Sequence, residues 1–306
     1  MPLKKIIFLV GPTASGKSAA AVCLARQLGA EIISCDSMQV YRGMDILTSK
    51  PSLALRRQIP HHLIGFLAPS EGYDVSEYRR DALAAIKTIF KNGKTPLFAG
   101  GTGLYLSVLV DGIFKLKPPK ISLRKGLYRQ AEIKGSLYLY NRLKKIDPEA
   151  AARIHPNDTR RLVRALEIFE ATGKPISELQ KQRRGLDKEY DIRIFCLDMP
   201  RDELYRRIDR RVEDMFKNGA LKEAKKLLAL KLSRTAGVAI GLKEIKGYLD
   251  GLYDLEEAKR LMQRNSRRYA KRQLTWFRKD RRIRWIKIKG SERACDVARR
   301  ILKEIK

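Results

Sequence analysis

The chain predicts an α/β fold, a P-loop parallel-sheet core carrying an inserted helical subdomain. Three observations lead there. Short apolar runs rich in Ile, Val and Phe alternate with helix-length segments in the first and last thirds, the order that builds a parallel sheet. The first run, Ile6-Ile7-Phe8-Leu9-Val10, leads into Gly11-Pro12-Thr13-Ala14-Ser15-Gly16-Lys17-Ser18, a complete phosphate-loop pattern, and then into the helix-forming Ala19-Ala20-Ala21-Val22. Between Lys117-Pro118-Pro119 and about Tyr190 the strand signals stop and the chain reads as helical.

In chain order, strands are expected near 5–10, 31–35, 95–99, 191–198 and 283–289, where apolar and β-branched residues cluster. Helices are expected at about 17–28, opening on the phosphate loop; at 76–91, from Ser76-Glu77 to the Asn92-Gly93 stop; and at 102–110, beside Gly100-Gly101-Thr102-Gly103. In the central stretch Asp147-Pro148 and Pro156-Asn157-Asp158 read as helix starts, and Gly173-Lys174-Pro175 as a stop. Helices near 201–217, 219–231, 241–250 and 254–280 follow, then the last strand and a terminal helix. The core is therefore expected at 1–117 and 191–306, with the helical insertion at 118–190.

Lys and Arg number 65 against 34 Asp and Glu, a formal net charge of +31 over 306 residues, far beyond what solubility needs. A polyanionic partner is expected. The field is strongest late: residues 191–306 hold 33 basic and 17 acidic side chains, residues 1–117 only 15 and 8. No apolar run approaches the roughly 20 residues of a membrane-crossing helix, and the N-terminus runs into a strand with no signal peptide. Nucleic acid is thus favoured over a membrane, and a cytoplasmic location is expected. Cys23, Cys35, Cys196 and Cys295 form no Cys-x-x-Cys pair, so neither a disulfide framework nor a zinc site is expected and the chain reads as reduced. His61 and His62 are adjacent, which points their side chains apart, and His155 is remote, so structural roles are expected for all three.

The phosphate loop carries definite chemistry. Its glycines let successive backbone N–H groups turn toward an anion, the helix start adds partial positive charge, Lys17 adds a full one, and the Ser18 hydroxyl can ligate Mg²⁺. The second strand ends Ile32-Ile33-Ser34-Cys35 and delivers Asp36-Ser37-Met38-Gln39 at the same carboxyl edge, where open α/β sheets collect ligands. Asp36 there reads as a magnesium ligand, a base, or a turn cap. Residues 264–285 hold ten Lys/Arg and one acid, interleaved with Tyr269, Trp276, Phe277 and Trp285. That composition suits an RNA-backbone track using Arg268, Arg272 and Arg278, with Trp276 or Phe277 as stacking platforms. Ala270, Leu274 and Phe277 also recur at helical spacing, which makes some of these aromatics core.

Six ordered motifs together resemble the bacterial tRNA dimethylallyltransferase family, also called tRNA isopentenyltransferases. They are Gly-Pro-Thr-Ala-Ser-Gly-Lys-Ser at 11–18, Asp-Ser-Met-Gln-Val-Tyr-Arg at 36–42, Pro-His-His-Leu at 60–63, Gly-Gly-Thr-Gly-Leu-Tyr at 100–105, Arg-Arg-Leu-Val-Arg-Ala-Leu-Glu at 160–167 and Arg-Arg-Tyr-Ala-Lys-Arg-Gln-Leu-Thr-Trp-Phe-Arg at 267–278. The resemblance implies transfer of a dimethylallyl group from its diphosphate to the N6 amine of the adenine just 3′ of the anticodon, with Mg²⁺ and without ATP. It implies Gly11 to Ser18 as the diphosphate cradle, Asp36 as base, and Thr102 near the reacting groups. Arg207 or Arg211, one helical turn apart, would add charge to the diphosphate. Asp36, Ser37, Met38 and Gln39 would meet a flipped-out adenine. Arg124, Arg160, Arg161, Leu162, Val163 and Arg164, in the helical insertion, match positions that approach the tRNA anticodon arm. A monomer is expected.

Three positions depart from the family pattern: Leu47 where glycine is usual, Leu242 where tyrosine is usual, and Arg160 where glutamine is usual. Rival readings are a P-loop nucleotide kinase, for which Asp198 would be a second metal-binding carboxylate, an adenylate isopentenyltransferase acting on a free nucleotide, and an RNA-binding protein with a vestigial loop. The basic surplus argues against the first, the arginine-rich C-terminal region against the second, and intact Lys17, Ser18 and Asp36 against the third.

Overall fold

A computed structural model describes residues 3–114 and 121–305. The chain divides into two compact units, Met1–Val110 with Glu189–Lys306, and Asp111–Lys188. The junction expected at 117–118 lies outside the described residues, and the return junction falls two residues before the expected one.

Six strands are present: β1 (Lys5–Val10), β2 (Ala30–Cys35), β3 (His61–His62), β4 (Thr95–Gly100), β5 (Asp191–Asp198) and β6 (Ile283–Lys287). They form one sheet in the order β3-β2-β4-β1-β5-β6, parallel at every pairing. β1 is central and covered on both faces, which is why it reads as an unbroken apolar run: Ile6 to Val10 are at most 1% exposed, and Phe8 stacks on Phe98 of β4. Val10 lies level with Gly100 and Cys196, and Cys35 with Gly100, so the chain leaves β1, β2, β4 and β5 at the same edge. That register gathers residues 11–18, 36–39 and 101–103 around one crevice.

The helices, in chain order, are α1 (Lys17–Leu28), α2 (Leu53–Arg56), α3 (Val75–Lys91), α4 (Gly103–Val110), α5 (Ile121–Lys134), α6 (Ser136–Ile146), α7 (Pro148–Ala151), α8 (Thr159–Thr172), α9 (Ile176–Lys181), α10 (Arg201–Lys217), α11 (Ala220–Leu228), α12 (Leu242–Leu249), α13 (Leu255–Phe277) and α14 (Ala294–Ile305). β3 and α2 were not expected; two and four residues long, they are too short to show a period. Starts and stops follow local chemistry. Asp74 and Glu77 form a reciprocal cap on α3. Asp147, 2% exposed, accepts from Ala150 N to start α7 and also from Ser177 N. Asp158 caps α8, and Gly173 ends it in the left-handed conformation. α5 to α9 pack around Leu127, Leu139, Leu143, Leu162 and Leu166, a core of their own.

The cysteine expectation is corrected: Cys23 on α1 and Cys295 on α14 form a disulfide, with Cα atoms 5.2 Å apart. The partners are 272 residues apart in sequence and become neighbours only because α14 packs on α1, so spacing gave no sign of the pair. Cys35 and Cys196 are free and buried. All three histidines make hydrogen bonds: His61 Nδ1 lies 2.7 Å from Ile59 O, His62 Nε2 lies 2.7 Å from Glu31 Oε2, and His155 Nδ1 accepts from Asn157 N at 3.2 Å.

Candidate active site

The loop between β1 and α1 wraps as the sequence dictates. Gly16 takes φ 85°, a left-handed conformation that a side chain would strain, and a Cβ there would lie 3.4 Å from Arg207 Nη2. Ser15 is 2% exposed and its hydroxyl has no hydrogen-bond partner among the described residues, a donor of the sort a bound anion would satisfy. Lys17 Nζ donates to Pro12 O at 3.0 Å. Burial, reinforced by Arg211 and opposed by Asp36, brings its pKa down to about 8.

The loop and Asp36 share a cavity of about 410 Å³. Its lining includes the polar Thr13, Lys17, Ser18, Asp36, Ser37 and Arg211 and the apolar Leu47, Ile208, Val212, Met215, Ile240 and Met262. Asp36 Oδ1 accepts from Met38 N at 2.9 Å, so the turn-cap reading holds together with a place on the cavity wall. Thr102 Oγ1 accepts from Ser37 N at 3.0 Å, tying the β4 loop to the β2 loop. Arg211 donates from Nη1 to Thr13 Oγ1 at 2.8 Å and from Nε to Ser49 Oγ at 2.7 Å; burial lowers its pKa to about 10, and Asp36 opposes that shift. Of the two candidate arginines, Arg211 lines the cavity while Arg207 lies beside Gly16. Gln39 turns its amide toward Thr48 O and Ser49 O, at 3.4 and 3.3 Å, within the same cavity.

The donor set suits Mg²⁺ in one particular way. Ser18 and Asp36 border the same space, and the described residues contain no group of three His, Cys, Asp or Glu able to hold a metal by themselves. Such a site fits an ion held largely by substrate phosphates and water. Asp198 instead lines a second cavity, of about 940 Å³, and is absent from the lining of the first, which removes the extra carboxylate a kinase reading would use.

Comparison with known proteins decides the family. The model of the IPP transferase family matches residues 39–280, and that of the isopentenyl transferases matches residues 4–55. The chain belongs to the IPP transferase family. It is 48% identical over 284 residues to a tRNA dimethylallyltransferase of Geobacter sulfurreducens, covering 92% of this chain and 91% of that relative. Among solved structures, the tRNA isopentenylpyrophosphate transferase of Bacillus halodurans matches with a TM-score of 0.72 at 40% identity, over 99% of this chain and 97% of that one. A eukaryotic dimethylallyltransferase acting on tRNA matches with a TM-score of 0.75 at 32% identity, over 94% of this chain and 74% of that one.

Within this family frame the remaining residues sort by burial. Arg268, Arg272 and Arg278 are exposed on or at the end of α13. Arg272 borders the 410 Å³ cavity and lies over the Tyr269 ring at 5.7 Å, whereas Arg278 borders the 940 Å³ cavity with Lys271, Lys287 and Lys289. Phe277 is fully buried and is corrected from stacking platform to core; Trp276 is 38% exposed, and its ring lies so close over Gly103 that a Cβ there would collide with it. Two more corrections fall in the helical unit: Leu162 and Val163 are 0% and 1% exposed, on the inward face of α8, so their side chains pack the core and cannot touch RNA. Arg124 and Arg164 both bind Glu167, itself 1% exposed; burial pushes that carboxyl up, but the two arginines overcome it and hold it below its usual range. Arg161 pairs with Asp158 at 3.3 Å, while Arg160 is exposed and has no ion-pair partner among the described residues.

Sequence reasoning missed Gln273 and the place of Tyr269 in the cavity, and it missed Glu223. Gln273, 6% exposed, accepts from Thr13 N at 2.8 Å and donates to Gly101 O at 2.9 Å, joining the phosphate loop to the β4 loop. Tyr269 lines the cavity, and burial together with Asp36 raises its hydroxyl pKa. Both lie in the 267–278 motif, where counting basic residues and aromatics hid the one amide. Glu223 accepts from Asp45 N, Ile46 N and Leu47 N, which fixes the loop carrying Leu47 and Ser49. No local pattern could have announced a contact across more than 170 residues.

Proposed function

We propose that the chain transfers a dimethylallyl group from dimethylallyl diphosphate to the N6 amine of the adenine immediately 3′ of the anticodon in tRNA. The observation that carries the reading is one cavity joining a phosphate loop, a single carboxylate and an apolar wall. The diphosphate lies on residues 11–18, with Lys17 and Arg211 holding its charge. The bond from C1 of the dimethylallyl group to the diphosphate oxygen breaks, C1 bonds to N6, and Asp36 takes the N6 proton. Lys17 and Arg211 stabilise negative charge as it builds on the leaving group, and no phosphoryl group moves. Ser18 would hold Mg²⁺, whose charge would add to that stabilisation. Thr102 and Ser37 position the loop of Asp36, and Gln39 and Met38 border the adenine.

For the acceptor, the supporting feature is charge. Arg268, Arg272 and Arg278 on the core provide a track for RNA phosphates; on the helical unit, taken by itself, Arg160 and Arg161 offer phosphate contacts, and Arg124 and Arg164 do so only with the side-chain surface that Glu167 leaves them. Lys271, Lys287 and Lys289 carry no ion pair among the described residues and extend the track beside Arg278. We place the reaction in the cytoplasm, with the protein acting as a monomer; among the described residues no helix is long and apolar enough to cross a membrane. Labelled dimethylallyl diphosphate offered with tRNA, with AMP or with no acceptor tests the reading. Label should pass to tRNA alone, and transfer to AMP would move the protein to the free-nucleotide class. Affinity for tRNA should fall with salt, each Arg268→Ala, Arg272→Ala or Arg278→Ala change lowering the log–log slope by about one phosphate contact. Unchanged slopes would take RNA off this face.

A further inference from the structure

The apolar lining of the cavity includes Leu47 and Met262, and we infer that these two side chains form a wall that measures the length of the prenyl donor. The inference rests on the diphosphate lying on the phosphate loop. Direction along the cavity comes from α13. Gln273 meets Thr13 of the loop, and the cavity then runs past Tyr269 and Ser266 to Met262, eleven residues away, or about 16 Å of helix rise. α10 runs antiparallel beside it, with Asp209 paired to Arg267 and Glu213 bonded to Gln263. Arg211 therefore stands near the loop end and Met215 at the far end with Met262.

Three residues meet at that end. A Cβ on Gly241 would lie 2.6 Å from Leu47 Cδ2 and 3.0 Å from Met262 Cε, so both side chains press on the bare α-carbon at the start of α12. Leu47 is 6% exposed and Met262 1%, and behind them Leu242 and Ile245, at 2% and 0%, are core. The backbone that carries Leu47 is held in place, because Glu223 accepts from the N–H groups of residues 45–47. With the diphosphate on the loop, the dimethylallyl chain would lie between Arg211 and this wall, and a second isoprene unit would have to take the volume of Leu47 and Met262.

Removing the wall by Leu47→Ala together with Met262→Ala deletes about six heavy atoms, close to the five carbons of one further isoprene unit. Geranyl diphosphate should then become a donor by the same chemistry, its C1–oxygen bond breaking as C1 bonds to N6, the proton leaving to Asp36 and diphosphate departing. The wild-type protein should favour dimethylallyl over geranyl diphosphate by about a hundredfold or more in kcat/KM, and the double variant should bring the ratio within about tenfold, the scale set by one or two misfit methylenes. Binding of inorganic pyrophosphate, which touches only the loop end, reports that the variant is folded; if the double variant lost it, Leu47→Ala alone, expected to shift the ratio about tenfold, would carry the test. Retained pyrophosphate binding with geranyl diphosphate still excluded would overturn the inference, as would equal use of both donors by the wild type. Failure of the wild type to transfer dimethylallyl to tRNA would instead sink the underlying reading of the reaction.

Discussion

Replacing Asp36 by Asn isolates the proton acceptor from everything else that residue does. The Asn side-chain oxygen can still accept from Met38 N, the 2.9 Å bond that shapes the turn, so residues 36–39 keep their course. The lost element is a carboxylate able to take a proton from an amine whose lone pair is delocalised into adenine. Loss of a general base lowers turnover about a hundredfold or more, which corresponds to about 2.7 kcal/mol of barrier. Diphosphate binding should barely change at pH 7, where Lys17, with its pKa near 8, is mostly protonated. Because Asp36 is one of the groups supporting that protonation, the variant's diphosphate affinity should begin to fall at a lower pH than the wild type's. Single-turnover transfer of labelled dimethylallyl to tRNA, with pyrophosphate competition measured across pH 6 to 9, reads both effects. Turnover within about threefold of wild type would remove Asp36 from the chemistry, since so small a change is below the range of base catalysis.

The depressed pKa of Lys17 gives a pH dependence of known sign. The ammonium form binds the anion and the bound anion raises its pKa, so pyrophosphate affinity should fall as pH rises through about 8, by up to about tenfold per unit, and Lys17→Ala should abolish that limb in calorimetric titration. A flat wild-type profile would mean that Lys17 does not meet the anion. Gln273→Leu leaves Thr13 N and Gly101 O without their partner, at roughly 1–3 kcal/mol each, so urea unfolding should show a loss of about 2–6 kcal/mol and the KM for the diphosphate should rise. A loss under about 1 kcal/mol would show that water replaces the amide without strain on the loop. Cys295→Ser should cost about 2–4 kcal/mol in thermal unfolding without reductant, and the difference from wild type should vanish in dithiothreitol; an equal difference in both conditions would contradict the Cys23 link.

What was legible in the sequence is what local chemistry determines. β1 and the phosphate loop announce themselves because a doubly covered strand must be apolar throughout and the loop needs its glycines and Lys17. Asp147, Asp158 and Gly173 marked helix ends correctly because caps act within a few residues. Long-range partners were not legible. The Cys23–Cys295 bond, the clamp of Glu223 on residues 45–47 and the bridge of Gln273 from Thr13 to Gly101 each join segments brought together only by sheet order and helix packing. Burial separated Leu162, Val163 and Phe277 from the RNA-facing set for the same reason: a basic stretch on an amphipathic helix carries core residues at every third or fourth place, and the motif alone does not say which face is inward.

The central claim is that the phosphate loop clamps a leaving diphosphate while Asp36 frees the adenine amine for attack. Its most direct test is a transfer reaction in the absence of ATP, in which pyrophosphate release and label on tRNA are followed together, using a tRNA with adenine 3′ of the anticodon and the same tRNA with guanine there. One pyrophosphate should appear for each labelled tRNA, with no label on the guanine tRNA. A requirement for ATP, or labelling of both tRNAs alike, would contradict the account.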